Sequence, residues 1–395
     1  MNNSFEALLD ENLYFPDMEK IDSDICSKVM THFDSYNPTS YSAEDVKKAL
    51  AKDSCSIEDF KALLSPAALP FLEAMAKKSQ KITARHFGNS VYFFTPLYLS
   101  NYCENQCVYC GFNCKNSIKR KKLTLEQMEQ EMAVIAQSGM EEILLLTGES
   151  PTKTPIQYIG EACKIAKKYF RAIGLEIYPV NTAEYSYLQS CGADYVTVFQ
   201  ETYDISQYKK MHLKGKKQIW HYRFNAQERA LQGGMRGVAF SSLFGLSDFR
   251  KDALASALHV YYLQKKYPQG EFALSCPRLR PITTDVHFDS VSITEKDLCQ
   301  ILCAYRIFLH FVGITVSSRE SSEFRNGIVK IAATKISAGV STGIGDHKEK
   351  YAKIETLDSA GDEQFEIQDG RSLDEMHDAF EKAGLQPVLN EYLYV

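Results

Sequence analysis

From Val91 to about residue 340, short apolar runs alternate with longer segments whose apolar positions recur every three or four residues. Short continuous runs suit strands buried on both faces, and the 3.6-residue recurrence suits amphipathic helices. Eight runs qualify as strands: Val91–Leu99, Glu142–Thr147, Gly174–Val180, Ala193–Gln200, Gly237–Phe244, Glu271–Cys276, Gly313–Ser317 and Ile331–Ala338. The intervening segments carry helix signals. Thr124 with Gln127 forms a capping box, after which Leu125, Met128, Met132 and Ile135 share one face. Thr294 opens another helix, with Leu298, Ile301, Leu302, Tyr305 and Leu309 as its apolar stripe. Strict β–α alternation implies parallel strands covered by helices, and eight strands close an α/β fold of the (β/α)8 TIM-barrel type; an open doubly wound sheet shares the pattern. A barrel puts its active site at the C-terminal strand ends, so residues just after each strand are the candidates.

The flanks differ in texture. Residues 1–88 read as a helical N-terminal extension, with Ser-x-x-Asp start signals in Tyr41–Leu50 and Cys55–Leu64. Residues 89–341 form the expected barrel, and 342–395 a C-terminal extension with a last helix over Ser372–Gly384 and an aromatic-containing end that packs back. No internal repeat or low-complexity tract is visible.

Composition removes several classes of function. With 45% hydrophobic and 24% charged residues, the 395-residue chain is ordinary globular protein. Its 45 basic and 50 acidic residues, net −5, are too balanced for a dedicated binder of nucleic acid or anionic membrane. The longest apolar runs, such as Ile143–Leu146, are far too short to cross a bilayer. Met1–Asp10 lacks the basic start and apolar run of a secretory signal, so the expected location is cytoplasmic. Eleven cysteines in a reducing compartment then point to metal or redox chemistry rather than disulfides.

Directly after the first strand, Asn101–Phe112 (NYCENQCVYCGF) sets Cys103, Cys107 and Cys110 in a C-x3-C-x2-C array. Three thiolates on a short loop suit three corners of a [4Fe-4S] cluster, leaving one open iron. A structural zinc site is the alternative; it wants four protein ligands, and Cys114 would supply the fourth. The array, with the aromatic Tyr109 before its third cysteine, resembles the signature of the radical S-adenosylmethionine (SAM) superfamily over roughly residues 80 to 385. The resemblance implies SAM at the open iron. It carries the Gly-Glu motif to Gly148 and Glu149, the SAM ribose or amino contact to Glu201, and the SAM carboxylate contact to Arg223. These residue types agree with the roles, since a carboxylate only accepts hydrogen bonds and a guanidinium clamps a carboxylate with two.

Further stretches, namely LTGES, VFQETY, SCPRLRP, SSRES and KISAG, resemble the 2-iminoacetate synthase (tyrosine lyase) family. That resemblance implies one-electron cleavage of SAM to a 5′-deoxyadenosyl radical and hydrogen abstraction from the amino group of L-tyrosine. Cα–Cβ cleavage to 2-iminoacetate and 4-methylphenol follows, for the thiazole of thiamine. It assigns substrate anchoring to Arg319 and Ser337, and a substrate contact to Tyr98. A salt bridge from Arg319 to Glu320 or Glu323 and barrel packing by Ser337 and Tyr98 are the plainer alternatives. Implied partners are a flavodoxin- or ferredoxin-type electron donor and the thiazole synthase. The related hydrogenase-maturation lyase adds cysteines for a second cluster beyond the barrel, whereas Cys303 is the last cysteine here. Arg278 and Arg280 share one strand face near the expected mouth, while His212 with Lys214, Lys216 and Lys217 reads as a solvated basic loop.

Overall fold

A computed structural model describes residues 14–281, 288–348 and 362–389. Met1–Asp10 and the aromatic-containing end beyond residue 389 lie outside them. Eight parallel strands succeed one another around a closed ring: β1 (Ser90–Ser100), β2 (Glu142–Thr147), β3 (Ala172–Glu176), β4 (Tyr195–Glu201), β5 (Gly237–Ser242), β6 (Glu271–Ser275), β7 (Gly313–Val316) and β8 (Lys335–Ser337). β1 pairs with β2 over Thr95–Ser100 and with β8 over Tyr92–Phe94, which excludes the open sheet. Closure follows from burial on both faces: helices cover the outside, and an unpaired edge between them would leave backbone groups unsatisfied.

The helices start where side chains can satisfy free N–H groups. Ser42, Ser56, Thr124 and Thr294 each complete a capping box with the residue three positions on. In Leu125–Gln137, Met128, Met132 and Ile135 are buried, but Leu125 is 44% exposed because the first turn overhangs solvent. The stripe of Glu295–Phe308 is buried throughout. The helices before β1 key onto this outer layer. Gln300 donates to the carbonyls of Leu63 and Ser65 at 2.9 and 2.8 Å, and Phe60 stacks on Phe308 with ring centres 4.4 Å apart.

Six strands are shorter than the apolar runs, and the largest shifts are at the end of β3 and the start of β8. β3 stops at Glu176 because Ile177–Val180 leaves the sheet yet stays covered, with the Tyr178 hydroxyl donating to the Thr154 carbonyl at 2.7 Å. Ile331–Ala333 forms a turn before β8. A ninth strand, β9 (Gln386–Val388), was not expected; it pairs with Ser90–Tyr92, while the Glu141 N–H donates to Leu389, so it wedges between β1 and β2 at the barrel's N-terminal end.

Alternate residues of each strand face inward. On β5 to β7 and just beyond, these are Gly237, Ala239, Ala273, Gly313, Thr315 and Ser317, too small to fill the centre. A barrel with bulky inward residues is packed solid; this one keeps a cavity of about 660 Å³. Among the described residues, no helix is long and apolar enough to cross a membrane.

Candidate active site

Cys103, Cys107 and Cys110 line this cavity from the loop that follows β1. The loop is held from several sides. The Asn113 side chain donates to the Cys107 carbonyl at 2.9 Å, and Arg120 donates to the carbonyls of Phe112 and Asn113 at 2.9 and 2.6 Å. Cys107 is buried, and its backbone forms a bridge with His212. A structural zinc would want a fourth protein ligand, and Cys114 is not among the residues that line the cavity, whereas three thiols suit a cluster with one open iron. Burial pushes the Cys103 thiol up to about 12 and raises the Cys107 thiol as well, so iron has to displace their protons.

Beside the loop lies a cluster of four largely covered ions. Glu149 follows β2 through Gly148, whose position tolerates no side chain: a Cβ there would stand 2.3 Å from the Tyr102 carbonyl oxygen. Glu149 accepts from Arg223 at 2.9 Å and from the Asn105 amide at 2.8 Å, with Lys217 at 3.5 Å. Glu201 ends β4 at a register shift with φ of 69°, a left-handed conformation costing a non-glycine residue about 1–3 kcal/mol. That turn brings its carboxylate to 2.8 Å from Lys217 and 3.6 Å from Arg223. Burial opposes the charge on Glu149, Lys217 and Arg223. Even so, Lys217 and Arg223 hold the Glu149 carboxyl below its usual range, while Glu149 and Glu201 raise both cations above theirs.

Lys217 and His212 correct the expectation of a solvated loop. Lys214 and Lys216 are exposed, but the Lys217 side chain is 11% exposed and His212 is buried. The segment docks on the cysteine loop: Val108 N–H donates to the Met211 carbonyl and Gln106 N–H to that of Lys214. Gly215, at φ of 97°, permits the approach, since a Cβ there would lie 2.1 Å from the Asn105 side-chain oxygen. His212 Nδ1 lies 2.7 Å from the Tyr208 carbonyl and must donate to it, so Nε2 accepts from the Tyr109 hydroxyl at 2.8 Å. Tyr109 is thereby fixed against the cavity wall.

Across the mouth, Arg319 follows β7 with its guanidinium 3.4 Å above the Phe365 ring. Among the described residues it makes no ion pair; Glu320 is taken by Arg278 at 3.0 Å and Arg280 at 3.2 Å. Ser337 lies beside the Arg319 turn, its hydroxyl accepting from Ser318 N–H at 3.1 Å. Tyr98 donates to Gln364 at 3.0 Å. All the candidate site residues thus border one cavity, joined by Lys217, Glu176, Gln364 and Phe365, which sequence reasoning had not assigned. A lysine is read as solvated unless its fold partner is known, and Gln364 and Phe365 reach the mouth only by return of the C-terminal segment.

Comparison with known proteins agrees with this arrangement. Residues 97–254 match the radical SAM superfamily, and residues 275–386 match the Biotin and Thiamin Synthesis associated domain. The chain is 36% identical over 351 residues to 2-iminoacetate synthase of Escherichia coli (strain K12), covering 89% of this chain and 91% of that one. Identity to 2-iminoacetate synthase of Salmonella typhimurium (strain LT2) is 37% over the same shares. The X-ray structure of the FeFe-hydrogenase maturase HydG from Carboxydothermus hydrogenoformans superposes with a TM-score of 0.84 at 27% identity, over 94% of this chain and 86% of that one. The superfamily brings a [4Fe-4S] cluster and SAM, for which the three cavity-lining thiols and the ion cluster are suited. Similarity of this extent, over a barrel whose cysteine loop and ion cluster face one hollow centre, makes the chain a member of the 2-iminoacetate synthase family of the radical SAM superfamily.

Proposed function

We propose that this chain cleaves the Cα–Cβ bond of L-tyrosine to 2-iminoacetate and 4-methylphenol, supplying the thiazole of thiamine. The observation that carries the reading is convergence: the thiol loop, the four-ion cluster and an unpaired arginine face one another across a single cavity. When bound, the cluster and SAM supply the one-electron chemistry that generates a 5′-deoxyadenosyl radical. Cys103, Cys107 and Cys110 are the cluster ligands in this reading. Arg223 takes the SAM carboxylate, Glu149 the amino group and Glu201 the ribose, each giving up part of its present ion pairing. Gly148 allows the methionyl group to approach the strand end, and Tyr109 walls the SAM side. Arg319 clamps the tyrosine carboxylate, while Ser337 sets the Arg319 turn and keeps a hydroxyl proton to donate. Tyr98 borders the substrate with its hydroxyl tied to Gln364. A flavodoxin- or ferredoxin-type donor and the thiazole synthase are the partners this reading calls for.

The protein's work is orientation and exclusion of water, which brings the reacting atoms together and protects a radical from other hydrogen donors. The test is anaerobic incubation of reconstituted protein with tyrosine, SAM and a strong reductant. The expected outcome is 5′-deoxyadenosine and 4-methylphenol together. Deoxyadenosine without 4-methylphenol rejects tyrosine cleavage, and tryptophan run in parallel reports a different aromatic substrate.

A further inference from the structure

Glu176 ends β3 and faces the cavity without a role in the reading above. Its position is fixed by register: Tyr98 pairs with Leu146, and Leu146 with Glu176, so the three lie in one layer with all their side chains on the cavity. Among the described residues its carboxyl makes no hydrogen bond or ion pair, unlike Glu149, Glu201 and Glu320, which are all engaged. A carboxylate that faces a cavity, partly withdrawn from water and without a partner, is costly unless a ligand completes it.

Its surroundings say which ligand. Burial is the largest influence on the group, pushing its carboxyl up to about 7; next come Arg319, then Glu201, Lys217 and Arg223. Glu176 therefore stands between the arginine that anchors an amino-acid carboxylate and the ion cluster of the SAM site. With the carboxylate on Arg319, the ammonium group is held close by their shared Cα, whereas the phenol is at the far end of the side chain. A carboxylate is also an acceptor only, matched to N–H donors.

Resting on the tyrosine-lyase reading, we propose that Glu176 binds the α-ammonium of the substrate and takes one of its protons, leaving the neutral amine that donates hydrogen to the radical. The step balances: one N–H bond breaks, one O–H bond forms, the ammonium and carboxylate become amine and carboxylic acid, and no electron moves. Loss of a hydrogen atom from the neutral amine leaves an uncharged nitrogen-centred radical, whereas loss from an ammonium would leave a radical cation. A carboxyl whose proton affinity lies near neutrality is matched to that transfer.

The experiment compares tyrosine with 3-(4-hydroxyphenyl)propanoate, the same molecule without the amino group. Binding to the reconstituted, SAM-loaded protein is measured by calorimetry for wild type, Glu176→Gln and Glu176→Asp. Wild type is expected to prefer tyrosine by about tenfold or more, the worth of one charge-assisted contact. Glu176→Gln should bring that ratio to within about threefold while affinity for the amine-free ligand stays within about threefold of wild type. Glu176→Asp should recover part of the preference, and 4-methylphenol formation by Glu176→Gln should fall about a hundredfold or more in kcat/KM. If wild type forms 4-methylphenol and Glu176→Gln keeps both preference and rate, the proposal is wrong. Equal loss of both ligands in Glu176→Gln also overturns it, since that marks a structural role. If wild type neither binds nor cleaves tyrosine, it is the tyrosine-lyase reading that fails.

Discussion

Cys107 is 4% exposed, the most enclosed of the three loop cysteines, and its carbonyl is held by Asn113. Alanine in its place removes a thiol while leaving the backbone bridge to His212 intact. Reconstituted wild type should hold about four irons and four sulfides per chain, and Cys107→Ala less than about one of each. One tightly held zinc and no sulfide in wild type would instead end the cluster assignment. The residues around the thiols were legible to different degrees. Glu149 and Glu201 stand at strand ends and Arg223 on a short helix; the sequence named them through family resemblance, and the fold brings their side chains within reach of one another. Lys217 was hidden: nothing local distinguishes it from Lys216, which is exposed and pairs with Asp17 on the surface. One residue decides the difference, and only the fold covers Lys217 with two carboxylates.

Among the elements, the segment after β8 alters the site most. Residues 362–371 return across the barrel mouth, setting Gln364 on Tyr98, Phe365 under Arg319 and Asp369 on Arg325. The Arg325–Asp369 pair is 2.5 Å apart and its side chains are 0% and 1% exposed. Removing one partner of a fully buried pair leaves an unpaired charge, at a cost of about 3–5 kcal/mol. Asp369→Ala should therefore lower the free energy of unfolding in urea by about that amount, with Asp369→Asn costing less because one acceptor oxygen remains. An unchanged denaturation midpoint would show that the segment does not secure the mouth. Sequence periodicity located the helix Leu373–Lys382 but not this crossing, because a polar stretch rich in Gly and Asp carries no period to read. β9 was missed for a related reason, since three residues including a proline fall below the length at which alternation is visible.

The whole molecule buries several groups in their neutral form, and this ties its stability to pH. His259 is 2% exposed, stacks on Phe224 at 3.9 Å and meets the Tyr203 hydroxyl at 3.0 Å. Burial depresses it to about 3, against about 6.5 in an unfolded chain. The unfolded state therefore binds the extra proton first. The stability contributed is complete above about pH 6.5 and is lost as pH falls toward about 3, by about 1.4 kcal/mol per pH unit. Asp252 acts in the other direction: burial raises it to about 8, so its contribution is complete below about pH 4 and lost as pH rises through about 8. Measuring wild type against His259→Gln removes the shared Asp252 effect. Between pH 6 and pH 5 the difference in unfolding free energy should move toward the variant by about 1.4 kcal/mol. A constant difference over that range would mean that His259 is not held neutral.

Alternation of apolar runs with helical periodicity determined the eight-stranded α/β architecture, because both periods record which faces are removed from water. Spacing determined the thiol loop, because neighbouring residues on one turn need no distant partner to be placed; three of the four ions beside it were named only through family resemblance. Tertiary structure alone decided that the barrel is hollow, since inward positions on separate strands must be small together for a cavity to survive. It also decided that Lys217 is largely covered, that Ser337 supports the Arg319 turn, and that Gln364 and Phe365 roof the mouth. Each of these depends on segments distant in the chain meeting at one point, and such meetings leave no pattern in the local order of residues.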